Sequence, residues 1–283
     1  MIWLLLSALF YAVNNLLWKV FVRHEQPLYL ISRRAIFTAL FSLIILFVVE
    51  KNPVHFITHP DFGTLLVGCF LGALGLIFMV TFLKIGSLSL MGYYSLLGVT
   101  ITGVYTYIIK HEPLSLKIIM GVVVLIAGYF LYLWDEKQKL KTDKVRLTQH
   151  LLLVLMTVFF TASTIVKWEI IANFPTLVLL SVQEVVVLFF SILVLAFIPN
   201  KSINNKFKVA NYSMYALLAL IILVAVFLGL LGLSATNSFI STLTSILVPV
   251  LTVVFGFVFM CEKITKLQVV SFVFIIVGEL FLF

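Results

Sequence analysis

Ten runs of about 20 apolar residues follow one another along this 283-residue chain, with little between them. They cover roughly 1–18, 28–49, 62–83, 87–109, 115–134, 149–166, 175–198, 212–233, 237–260 and 266–283. As helices, runs of that length match the hydrocarbon thickness of a bilayer. Backbone polar groups must be paired inside hydrocarbon, so a spanning segment is either a helix or a strand of a closed barrel. Long alternating strands are absent, which excludes an outer-membrane barrel. Apolar residues make up 63% of the chain and charged residues 11%. A soluble domain is about half apolar and about a quarter charged, so this chain is no soluble globule.

The runs repeat. Glu112-Pro113-x-Ser115 is answered by Glu262-x-x-Thr265, and Gly128 by Gly278. Ser95 answers Ser245, and Thr102 answers Thr252. Every one of these pairs is 150 positions apart. A fixed internal period means copies of one unit, here 1–134 and 149–283. The charged segment 135–148 lies between them as a solvated linker. Each copy holds five spans. Because five is odd, the second copy enters the membrane from the opposite side. The predicted fold is therefore an all-α membrane protein of ten transmembrane helices, arranged as two inverted five-helix repeats. Inverted repeats are characteristic of secondary transporters. Glu112, Pro113 and Glu262 mark the repeated turn. Glu112 and Glu262 are expected near the positive end of the helix that follows them, with Ser115 and Thr265 as its N-caps. Pro249 interrupts span 9 and is the hinge candidate.

Polar residues inside the spans are the candidates for chemistry. Span 1 carries Ser7, Tyr11, Asn14, Asn15, Trp18 and Lys19 at helical spacing, on one side of the helix. Asn in hydrocarbon is costly unless it faces protein or a wet cavity. In span 6, Thr157, Thr161 and Thr164 form the corresponding stripe, ending at Lys167-Trp168. In span 4, Tyr94, Ser95, Thr102 and Tyr105 present hydroxyls; in span 9, Thr242, Ser245 and Thr252 do the same. Lys19, Lys84 and Lys167 are either snorkelling anchors or cations that meet a substrate carboxylate. Arg33 and Arg34 read as interfacial anchors. Gly68 and Gly72 allow close approach of a neighbouring helix. Glu184 is the most deeply placed carboxylate, either an ion-pair partner or a proton carrier, since a desolvated Glu titrates near neutral pH. Span 5 packs against its repeat or against a second copy of the chain.

The formal net charge of +8 sits mostly at membrane edges, where it meets anionic lipid and sets topology, and no nucleic-acid partner is expected. Connections 1–2, 3–4, 5–6, 7–8 and 9–10 hold 15 Lys and Arg, against 4 elsewhere. The positive-inside rule then places the termini outside. His55-x-x-x-His59 has metal-like spacing but no third ligand near it, so neither a metal nor a cofactor is expected. Cys69 and Cys261 read as small core residues. Residues 1–18 read as the first span, since no basic leader or cleavage site precedes them.

The ten-span layout, the paired Glu112-Pro113-x-Ser115 and Glu262-x-x-Thr265 turns, each followed by a Gly-bearing span, and Pro27 followed by Arg33 resemble the EamA domain, the repeat unit of the drug/metabolite transporter superfamily. The resemblance implies alternating access and a central cavity between the halves. It also implies export or import of small metabolites such as amino acids, with cytoplasmic termini; of the two directions the chain is read as an exporter, in the inner or plasma membrane. The cytoplasmic termini conflict with the charge count. Span 1 lacks the Glu of the small multidrug-efflux branch, which argues against cation export by that route. Ser234-Ala235-Thr236-Asn237-Ser238 lacks the Lys of the nucleotide-sugar signature. The other readings are a passive channel or scaffold and, further off, a membrane-embedded enzyme. No ring of acids, filter-like loop or clustered nucleophile is visible for any of them.

Overall fold

The computed structural model describes residues 2–109, 116–140, 144–197, 210–234 and 245–282. These residues form helices and turns, with no strand among them. The helices are α1 (Ile2–Phe21), α2 (Pro27–Val49), α3 (Phe62–Ile85), α4 (Leu88–Ile109), α5 (Leu116–Leu140), α6 (Lys144–Ile170), α7 (Thr176–Phe197), α8 (Ala210–Ser234), α9 (Leu247–Met260) and α10 (Lys266–Leu282). Six are long and apolar enough to cross a membrane: α1, α2, α3, α6, α7 and α8. Shorter apolar stretches of 10–17 residues lie in α4, α5, α9 and α10. The chain is a multi-pass membrane protein.

The helix ends follow local chemistry. Pro27 opens α2, where a missing N–H costs nothing. Thr265 caps α10: its Oγ1 accepts from the Gln268 N–H at 3.1 Å, and the Gln268 Oε1 accepts from the Thr265 N–H at 3.1 Å. This is a reciprocal capping box. Helix continues into the charged linker from both sides, to Leu140 and from Lys144. Lys, Glu and Gln are good helix formers, so charge there marks the exit from the membrane rather than the end of a helix. Pro249 is the third residue of α9, inside its first turn, where proline is tolerated. Glu112, Pro113, Ser115 and Thr242 lie outside the described residues.

The packing pattern is nearly unchanged when the two halves are exchanged. α2 packs on α7, α4 on α9 and α5 on α10, each a helix against its own counterpart. α1 packs on α8 and α3 on α6, two contacts that swap into one another. The α5–α10 crossing shows this at atomic scale. A Cβ on Gly128 would meet Ile275, and a Cβ on Gly278 would meet Leu125. Both contacts join the same two pairs of equivalent positions. The Gly278 Cβ would lie 2.7 Å from the Leu125 backbone N and 3.0 Å from the Gly121 carbonyl O. Backbone cannot give way as a side chain does. Gly278→Val is therefore expected to destabilise by at least about 2 kcal/mol, read as a lower midpoint of thermal unfolding in detergent. An unchanged midpoint would show the crossing to be loose.

On α3, Gly68 and Gly72 face α6. A Cβ on Gly72 would lie 2.9 Å from Ser163 Oγ and 3.6 Å from Lys167 Nζ. Ser163 Oγ donates to the Gly68 carbonyl at 2.7 Å. The small residues thus let α6 approach closely and leave room for the Lys167 stem.

Candidate functional site

Helices of both halves enclose a cavity of about 340 Å³. Its polar wall comes from Tyr11, Asn14, Asn15 and Trp18 of α1, Arg34 of α2, Ser95 of α4, Ser163, Thr164 and Lys167 of α6, and Gln183 and Glu184 of α7. A second chamber of about 340 Å³ adjoins it and shares Tyr11, Thr164, Lys167 and Gln183. It lies among the first residues of α1, α7 and α9 and the last of α6 and α8. A side chamber of about 200 Å³ between α4 and α6 holds Tyr94, Ser95, Thr102, Thr161, Thr164 and Ser245. Tyr94 Oη lies 2.8 Å from His150 Nδ1.

Among the described residues lining these chambers, three are charged: Arg34, Lys167 and Glu184. Arg34 Nη1 lies 3.1 Å from Glu184 Oε2, with both side chains at most 2% exposed. The guanidinium also stands 5.7 Å from the Trp18 ring centroid, a cation–π contact. Lys167 has a neutral partner: its Nζ donates to Gln183 Oε1 at 2.6 Å. Arg34 Nε and Asn14 Oδ1 are buried without a hydrogen-bond partner in the protein. Unsatisfied buried groups are rare in a finished core, and both residues line the cavity.

Several expected site residues meet here. Tyr11, Asn14, Asn15, Ser95, Thr164, Lys167 and Glu184 share the central cavity. Tyr94, Thr102, Thr161 and Ser245 line the adjoining ones. Thr252 stands behind Asn15, whose Nδ2 donates to Thr252 Oγ1 at 3.1 Å. Three others are placed elsewhere. Lys19 Nζ donates to the carbonyls of Leu83, at 2.7 Å, and Gly86. It therefore satisfies the C-terminal end of α3. Lys84 is exposed and donates to the Glu25 carbonyl at 3.1 Å. Tyr105 donates to Glu169 Oε1 at 2.9 Å.

Arg33 and Arg34 correct the reading of interfacial anchors. Both are buried, and Arg33 forms an ion pair with Glu25 and donates to Tyr215 Oη at 2.8 Å. Arg34 is the residue that the sequence reading missed. Its signal was present: Arg34 and Glu184 are 150 positions apart, the same offset as the other repeat pairs. The two carry opposite charges and pair with one another.

Glu262 is also placed differently from expectation. Its carboxylate caps α4 rather than its own α10. Oε1 accepts from the Leu88 N–H at 2.6 Å, and Oε2 accepts from the Ser89 N–H at 2.8 Å and the Ser89 hydroxyl at 2.6 Å. Cys261 before it is left-handed, with φ 52°, which turns the chain toward α4. The α3–α4 turn, residues 83–89, is therefore held by Lys19, Lys84 and Glu262.

Residues 1–134 match the model of the EamA-like transporter family. That half is similar to EamA-like transporters. The EamA-like half contributes α1 to α5, including Arg34, Asn14 and Asn15. A protein of known crystal structure superposes on 97% of this chain and 96% of its own, with TM-score 0.65 at 14% identity. At that identity the likeness concerns the fold alone, and it spans the EamA-like half and the rest together. A search of the curated proteins found no match.

Proposed function

We propose that this protein is a secondary transporter of small polar metabolites. It works by alternating access, as two inverted five-helix repeats, 1–134 and 149–283, rock against each other in the inner or plasma membrane. The observation that carries this reading is the polar cavity built by both halves of an EamA-like chain, with Asn14, Arg34 and Ser95 on one side and Thr164, Lys167 and Glu184 on the other. The exchange-symmetric packing of the helices supports it: two equivalent halves around one site can expose that site to either face in turn. Amino acids and the direction of export come from the family likeness. Glu184 is the candidate for coupling, and its pairing with Arg34 makes any protonation a property of the pair. Protonating Glu184 would leave the guanidinium without its counter-charge.

The test is metabolite profiling of the medium of overexpressing and deleted cells, followed by proteoliposome counterflow with the compounds found. A carrier gives saturable uptake that is driven by unlabelled compound inside. Flux that is linear in concentration and indifferent to internal compound would make the protein a channel. If Glu184→Gln left pH-driven transport unchanged, Glu184 would have no part in coupling.

A further inference from the structure

The cavity carries two cations and one anion. Arg34 and Glu184 neutralise one another at 3.1 Å. Lys167 remains, hydrogen-bonded to the neutral Gln183 at 2.6 Å and projecting into the two larger chambers at once. An unbalanced ammonium at membrane depth is costly, and such groups are kept for a counter-ion or a pathway. Among the described residues the chambers offer no free carboxylate to a substrate ammonium, since the one acid among them, Glu184, is already paired with Arg34. Hydroxyls and amides complete the wall, from Tyr11, Asn15, Ser95 and Thr164.

We infer that the transported solute is a small organic monoanion whose carboxylate is bound by Lys167, with neutral polar groups facing the hydroxyl and amide wall. The inference rests on the transporter reading and narrows its substrate class, away from the amino acids that the family likeness suggests. It disfavours cations, which meet two positive groups, and zwitterions, whose ammonium finds neutral acceptors such as Asn14 Oδ1 but no unpaired carboxylate among the described residues. Gln183 holds the ammonium in place and yields to the carboxylate. Gly72 keeps the space beside Lys167 Nζ open.

The experiment uses the purified full chain in detergent and follows its thermal unfolding midpoint with matched pairs of solutes: lactate and lactamide, benzoate and benzamide, with serine as zwitterion and ethanolamine as cation. Carboxylates are expected to raise the midpoint, while their amides, serine and ethanolamine leave it unchanged. Lys167→Gln is expected to weaken carboxylate binding at least about 30-fold, since losing one partner of a buried charge contact costs upwards of about 2 kcal/mol. Lys84→Gln, outside the cavity, keeps the response. If Lys167→Gln does not fold, Gln183→Glu decides: it gives Lys167 an internal carboxylate, so the fold is retained and the response to added carboxylates is lost. Equal stabilisation by amides, a response to serine or ethanolamine alone, no response to any carboxylate, or an unchanged response in Gln183→Glu would each overturn the inference. The transporter reading fails separately, if carboxylates bind but show no counterflow in proteoliposomes. It survives if a neutral solute shows counterflow without any carboxylate binding.

Discussion

Replacing Glu184 with Gln is expected to destabilise the protein by about 3–5 kcal/mol, the scale for stranding one member of a buried ion pair. The loss exceeds what a polar helix–helix contact in a membrane is worth, about 0.6 kcal/mol on average. The difference comes from what remains. Arg34 would keep its full charge at 2% exposure, and the cavity would hold two cations and no anion. Arg34→Gln is expected to be milder, because Lys167 then supplies a cation of the same cavity to Glu184. Replacing both, as Arg34→Met with Glu184→Leu, removes the stranded charge and is expected to recover most of the lost stability without restoring transport. The measurement is the unfolding midpoint of the four detergent-purified proteins. A double variant no more stable than Glu184→Gln alone would mean that the stranded charge is not the source of the loss.

Glu262→Ala is expected to cost about 2 kcal/mol at the α4 end. Three donors lose one carboxylate, two of them N–H groups at the start of a helix, where negative charge is favoured. A charge-assisted hydrogen bond contributes about 1.5–3 kcal/mol, and water replaces part of it at this half-buried site. The readout is hydrogen exchange of the Leu88 and Ser89 amides, which should speed up by roughly 30-fold. Glu262→Gln keeps one acceptor oxygen and falls between. Unchanged exchange would show that α4 is fixed by packing alone. Because the same turn is held by Lys19 through Leu83 and Gly86, loosening it should favour opening at that end of the bundle. Transport kinetics of Glu262→Ala would show this as altered exchange rates rather than as lost substrate affinity.

Helix positions were legible because lipid imposes a length and a polarity on each span, and the described helices begin and end within a few residues of most predicted runs. Thr265 was legible as a cap because capping is local, with donor and acceptor three residues apart. Glu262 was not, because its partners lie 174 and 173 residues away and nothing local distinguishes them from the closer α10. Lys19, Lys84 and Lys167 looked alike in sequence, each near the end of an apolar run. What separates them is the neighbouring backbone: two reach carbonyls and one reaches a cavity. Arg34 was misread through its position near a span start. A start is an interface only if the helix begins there unaided, and here Glu25 and Tyr215 close over Arg33 while Trp18 and Glu184 close over Arg34.

The Arg34–Glu184 pair also bears on how the chain is made. The two residues are separated by 150 positions, so at about 5–20 residues per second the arginine waits roughly 8–30 s for its partner during synthesis. Throughout that interval α2 carries, at its eighth residue, a charge without the Glu184 counter-charge, which is costly inside a membrane. The arrival of α7 supplies the counter-charge, so the pair closes only after both halves of the chain have been made.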